Sequence, residues 1–290
     1  MSALRVTVCQ WPNGPEAIAR AWAQLRAHVQ TYESHCVLLP EMPFAEWLAQ
    51  SENFDAGRWV AAVAAHRSWE ARLSELGGAC VIATRPVDFG NERLEEGFLW
   101  EPGWGSRAVH VKTALLDSKG AWEPVWYRPA TPDFTAAQLE DTDAEQTHVG
   151  LLIGVELRHE DGLRMYASSG VPFLAVPRAS SVASADEWLA AGVTAARCAG
   201  AFCLSSSRPD ALDVSSGPGW IIDPSGTTLA LTSEAVPFVT LSLDTTSVKR
   251  TRLANRYPQP RSGGMGSICA YDSPQQSASA KARPLGRCAS

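Results

Sequence analysis

No apolar run in this 290-residue chain approaches the ~20 residues that a membrane-crossing helix needs, so no membrane partner is expected. Its first residues lack a basic stretch leading into an apolar one, and a cytoplasmic location is the expectation. Excess positive charge is missing too. The formal net charge is -6, which argues against binding a phosphate backbone and hence against nucleic acid. There is no C-x-x-C pair: the seven cysteines are an odd number, and most lie in apolar runs such as VTVCQ, CVLL, ACVIA and AFCL. That placement fits buried free thiols in a reducing compartment better than a disulfide framework. Cys198 and Cys203 bring no histidine with them, so no metal site is expected. Gly263-Gly264-Met265-Gly266 has no Gly-Lys-Ser/Thr and no strand-to-helix setting, so it is not a phosphate loop, and no cofactor is expected. Ser205-Ser206-Ser207 lies in no Gly-x-Ser-x-Gly elbow, which weakens a serine hydrolase or plain ligand-binding α/β domain as the alternative class.

What is present is alternation of apolar strands and amphipathic helices, with 45% hydrophobic residues, enough for one large core. Leu4 to Gln10 reads as a strand, followed by a helix with Pro15 in its first turn and Ile18, Trp22, Leu25 and Val29 on one face. Cys36 to Leu39 is a buried strand that ends at Pro40-Glu41. Asp55 caps a long helix whose expected core face is Trp59, Val60, Val63, Leu73 and Leu76, stopped by Gly77-Gly78. Ala79 to Thr84 is a strand, and Glu96 to Trp100 pairs with Arg107 to Lys112. Alternation there puts Val109 and Val111 on one side and His110 and Lys112 on the other. Later come a helix over 184 to 197, strands at 201 to 207 and 237 to 243, a Pro-x-Gly turn at Pro224 to Gly226, and a short basic helix through Arg252.

The organising stretch is QTHVGLLIGVELRHEDGLRMYASSGVPFLAVPRAS, residues 146 to 180: strand, charged elbow, helix, strand. It resembles the nucleophile region of the nitrilase, or carbon–nitrogen hydrolase, superfamily, with Gly150, Ile153, Glu156, Asp161, Gly170 and Pro177 in register. Gly154 stands where the family has its catalytic cysteine, and Glu160 where it has a proline. Pro40-Glu41-x-x-Phe44 resembles the motif of the family's general base, and Val111-Lys112-x-x-Leu115-x-Asp117 that of the lysine that stabilises a tetrahedral intermediate. Glu123 falls where many members carry a second glutamate. The late hairpin around Trp220 to Gly226 also matches, whereas Arg197-Cys198-Ala199-Gly200 departs from the family's polar sequence.

The resemblance covers about residues 3 to 255. It implies an αββα sandwich of two mixed sheets flanked by helices, in a domain over 1 to 260. A Ser/Gly/Ala-rich tail over 261 to 290 is then disordered or packed on a neighbouring subunit. It also implies a homodimer or larger assembly and a small amide or nitrile as substrate. The expected catalytic set is Glu41, Lys112, the Gly154 position and Glu123, with Glu156, His159, Trp126 and Arg178 around the substrate. Trp47 and Trp122 are candidates for the pocket wall. A glycine cannot attack a substrate. Three readings stay open: a hydrolase whose cysteine has been replaced, a natural homologue using Glu41 and Lys112 for acid–base chemistry without a covalent intermediate, and a binding pseudoenzyme.

Overall fold

The computed structural model describes residues 3–139, 147–179, 185–208, 217–246 and 248. The basic helix expected through Arg252 and the tail over 261 to 290 lie outside the described residues. Two six-stranded sheets organise the chain. The first contains β1 (Ala3–Cys9), β2 (Cys36–Leu38), β3 (Cys80–Phe89), β4 (Glu92–Glu101), β5 (Gly105–Val111) and β14 (Phe238–Asp244), in the order β14-β1-β2-β3-β4-β5. A small ribbon, β6 (Asp117–Ser118) with β7 (Ala121–Trp122), follows. The second sheet contains β8 (Ala137–Leu139), β9 (Thr147–Leu151), β10 (Phe173–Pro177), β11 (Phe202–Ser206), β12 (Trp220–Ile222) and β13 (Thr228–Leu231), ordered β13-β12-β11-β10-β9-β8. Each is mixed: three central strands run parallel, β1-β2-β3 and β9-β10-β11, with antiparallel strands on both sides.

Side-chain alternation explains why the central strands read as unbroken apolar runs. On β10, Phe173 and Ala175 enter the core between the sheets, while Leu174 and Val176 face the helices outside. Leu4, Val6, Val8, Leu38, Ile82 and Leu99 meet Val149, Leu151, Leu204 and Ile221 between the two sheets. Outside the first sheet lies α1 (Pro15–Tyr32), burying the expected Ile18, Trp22, Leu25 and Val29, together with α2 (Ala56–Glu70). Outside the second, α4 (Glu160–Ser169) and α5 (Ala185–Ala199) contribute Tyr166, Trp188 and Ala195. Helix, sheet, sheet, helix is the expected αββα order.

Some local expectations are corrected. The second long helix ends at Glu70, and Leu73 and Leu76 sit in a separate 3₁₀ turn, packed with α1. The buried positions of α2 are Trp59, Ala62, Val63 and His66, spaced by three and four, which leaves Val60 64% exposed. β3 continues past Thr84 to Phe89, paired along its length with β4. The run Val149 to Val155 is a strand only to Leu151, and residues Gly154–Arg158 form a 3₁₀ turn. No helix among the described residues is long and apolar enough to cross a membrane.

Candidate active site

Glu41 follows β2, Lys112 follows β5, Gly154 follows β9, and Glu123 opens the short helix α3 (Glu123–Trp126). The ends of strands from both sheets thus converge, as in other open α/β layers. The Lys112 ammonium lies 2.6 Å from Glu123 Oε1, 2.9 Å from Glu41 Oε1 and 3.4 Å from Glu95 Oε2. All four side chains are at most 1% exposed. Burial works against the charge on Lys112, but the three carboxylates outweigh it and raise its pKa well above the usual value.

Each carboxylate is held by further bonds. Glu41 Oε1 also accepts the Trp47 indole N–H at 3.2 Å, and Glu123 Oε2 accepts the Leu116 N–H at 2.8 Å. Thr84 Oγ1 donates to Glu95 Oε1 at 3.1 Å and accepts the N–H of Met42 at 2.8 Å. Met42 has φ +50°, a conformation that a non-glycine residue adopts only when its surroundings hold it there. Arg208 supplies that hold: its guanidinium donates to the Met42 carbonyl, to the Ala45 carbonyl at 2.8 Å and to Asn13 Oδ1 at 2.9 Å.

Gly154 has φ +53°. A Cβ built on it would lie 2.8 Å from Glu41 Oε2 and 3.5 Å from Lys112 Nζ, so a side chain there would point between the Glu41 carboxyl and the Lys112 ammonium. Glu41 Oε2 is buried and accepts no bond from any nitrogen or hydroxyl donor among the described residues.

Glu156 has a different place from the one expected of a substrate-binding group. Its Oε1 accepts the Thr113 N–H and hydroxyl, each at 2.7 Å, and its Oε2 accepts the Ile153 N–H at 2.7 Å and faces His110 Nε2 at 2.8 Å. With four partners it ties the turn after β9 to the segment after β5 and so sets residue 154 against Lys112. Burial raises its pKa, but the contact with His110 and the bonds from Thr113 and Ile153 prevail and hold the carboxyl below its usual range. His159, expected near the substrate, is exposed at the start of α4. The histidine buried beside the site is His110, between Glu156 and the Asp133 carbonyl at 3.1 Å. Trp126 is fully buried against Trp47, Leu48 and Tyr127, its indole N–H given to the Ser51 carbonyl at 2.8 Å. Arg178 donates to Ser205 Oγ at 2.8 Å and to the Pro218 carbonyl at 2.7 Å, with Trp220 4.1 Å from its guanidinium, and burial lowers its pKa to about 9. Ser205, Ser206 and Ser207 donate to the carbonyls of Val176, Leu38 and Gly217, so these hydroxyls tie strands and loops together.

Solved structures with this architecture include a carbon–nitrogen hydrolase of Helicobacter pylori G27 (TM-score 0.75, 16% identity, 90% of this chain and 96% of that one). A mutant amidase from the nitrilase superfamily of Nesterenkonia AN1 matches with TM-score 0.65 and 17% identity over 88% of this chain and 96% of that one. The NitFhit protein of C. elegans matches with TM-score 0.74 and 16% identity, over 88% of this chain and 65% of its own. The chain has the nitrilase-superfamily fold. No protein-family model and no curated protein matches its sequence. Within that nitrilase fold, Glu95, Thr84, His110, Tyr127 and Arg208 are the residues that sequence reasoning missed. Glu95 and His110 had a usable signal, since alternation back from Leu99 through Gly97 turns Glu95 inward and alternation along β5 sets His110 on the side of Lys112.

Proposed function

We propose that this protein acts on the carbon–nitrogen bond of a small amide or nitrile by acid–base chemistry, without a covalent enzyme intermediate. Glu41 is the base, and Lys112, oriented by Glu123, stabilises negative charge developing on the substrate. The observation that carries the reading is Glu41 Oε2, dehydrated, without a nitrogen or hydroxyl donor, and facing a residue that has no side chain. An unpaired buried acceptor costs on the order of 1–3 kcal/mol. A water poised to attack, or an amide N–H, relieves that cost. Base catalysis from such a position is worth about 10²- to 10⁴-fold.

A second reading draws on the Cβ direction at Gly154: a hydrolase site that binds its amide but lacks the nucleophile. A cysteine-to-alanine mutant of the Nesterenkonia amidase is found in complex with butyramide, which supports retention of binding without that thiol. Ammonia release from formamide, acetamide, butyramide and acetonitrile by the native chain and by Glu41→Gln separates the two. We expect release by the native chain, lowered about 10²-fold or more in the variant. Butyramide binding with no release would favour the second reading, and neither binding nor release would remove both. The same proposal includes a cytoplasmic homodimer, which rests on the sequence; sedimentation at micromolar concentration should then show a species heavier than the 31.2 kDa chain.

A further inference from the structure

We infer that Glu41 and Glu95 form a carboxyl pair sharing one proton, and that this pair, not Glu41 alone, is the acid and base of the site. The pair itself stands on geometry; its part in catalysis rests on the function proposed above. One group, the Lys112 ammonium, bridges the carboxyls, and Thr84 fixes Glu95 to the backbone beside Glu41. Lys112 Nζ lies 2.9 Å from Glu41 Oε1 and 3.4 Å from Glu95 Oε2, and Thr84 Oγ1 joins the Met42 N–H at 2.8 Å to Glu95 Oε1 at 3.1 Å. The carboxyl of Glu95 is itself within hydrogen-bonding reach of that of Glu41. Neither is exposed.

Charge counting requires a proton. Among the described residues Lys112 is the one ammonium contacting these three dehydrated carboxyls, and its shortest bond goes to Glu123 at 2.6 Å. Among the other neighbours, Arg178 is close enough to feel the charge of Glu41, and Arg208 reaches the Glu41 backbone carbonyl at 3.5 Å. The Tyr127 phenol is buried, has no hydrogen-bond partner among the described residues, and holds its own proton more tightly, chiefly through burial and then through Glu95 and Glu41. Burial first, and the charge of Glu41 second, raise Glu95 well above the carboxylate range, while burial pushes Glu123 up to about 7. Two carboxyls held on one ammonium within one dehydrated site, with a third carboxyl on the same ammonium, do not both ionise, and a pair with one proton offers a base and an acid together.

The reaction balances without a covalent intermediate. The oxygen of water bonds to the amide carbon as its proton passes to Glu41. Glu41 passes that proton to the amide nitrogen while Glu95 keeps its own, the C–N bond breaks and ammonia leaves. The pair again holds one proton, and amide and water have become carboxylic acid and ammonia. Glu95 is a positioning residue that holds the shared proton and acts through Glu41.

Infrared spectroscopy of the full chain between pH 6 and 9 reads the proton directly, as the C=O stretch of a protonated carboxyl shifted by deuterium exchange. At pH 8 the native chain and Glu123→Gln should both keep this band, and Glu95→Gln, which retains a hydrogen-bonding amide, should lose it. A second component should titrate near neutrality in the native chain and be missing from Glu123→Gln. Absence of the band from the native chain at pH 8, or its full retention in Glu95→Gln, overturns the pair. Should a variant fail to fold, the native titration decides alone. On an amide substrate, Glu95→Gln should lower turnover about 10²-fold, shift the alkaline limb of the pH profile and leave KM near native, with Glu95→Asp recovering part of the rate. A chain that shows the band but releases no ammonia would retain the pair and lose the proposed function.

Discussion

Glu156 accepts the Thr113 N–H and hydroxyl on one oxygen and the Ile153 N–H on the other, so its amide counterpart has no orientation that avoids setting an N–H₂ group against an N–H. Glu156→Gln should therefore cost about 2–4 kcal/mol, seen in denaturant unfolding as a lower midpoint at unchanged slope. A variant as stable as the native chain would remove Glu156 from its tying role. Glu123 carries the opposite kind of charge effect. Its pKa is raised from 4.5 to about 7, so the folded chain holds a proton that the unfolded chain releases. The stability from that proton is fully present below 4.5 and is lost as pH rises through 7. Between pH 5 and 8 the native chain should lose more stability than Glu123→Gln, by on the order of 1–3 kcal/mol, when both are unfolded in urea. Equal losses would show that Glu123 keeps no such proton. Glu41, Lys112 and Gly154 were legible because each sits in a short motif at a strand end. Glu156 was legible as a residue but not as a role, since its partners Thr113 and His110 lie more than forty positions away in sequence.

At the scale of elements, Gly97 of β4 faces the Leu151 side chain of β9 across the space between the sheets. A methyl on Gly97 would overlap the Leu151 side chain and press toward Ile153, the residue before Gly154. Gly97→Ala should cost about 1–3 kcal/mol in chemical unfolding, and Gly97→Val more, because overpacking there pushes one sheet against the other. A neutral Gly97→Ala would mean that the sheets separate easily. The strands and the faces of α1 were legible from period-two and period-3.6 patterns, which local sequence carries. The end of α2 was not: Leu73 and Leu76 continue an apolar pattern past Glu70, and only packing on α1 shows that the chain has turned. His159 and His110 show the same limit. One lies in a conspicuous charged cluster yet faces solvent, and the other is an ordinary strand residue until β9 and its turn are laid across β5.

For the whole molecule, the resemblance in the strand-end motifs implied four layers, which the alternation of strands and helices allowed, and solved structures at 16–17% identity share the architecture. The proposed chemistry rests on less: four glutamate and lysine side chains from four segments, and one residue without a side chain. A glutamate-to-glutamine mutant of the Nesterenkonia amidase shows covalent addition of the acetamide moiety of fluoroacetamide at its active-site cysteine, whereas this chain has Gly154 between Glu41 and Lys112. The most direct measurement compares the native chain and Gly154→Cys on the same small amide, following ammonia release and the intact mass of acid-quenched protein. The native chain is expected to release ammonia with its mass unchanged at every time point. In the variant the new thiol must fit at a left-handed φ and displace the Glu41 carboxylate, so it should turn over more slowly than the native chain. A native chain that is inert, beside a variant that turns over through an adduct at residue 154, would contradict catalysis without a covalent intermediate.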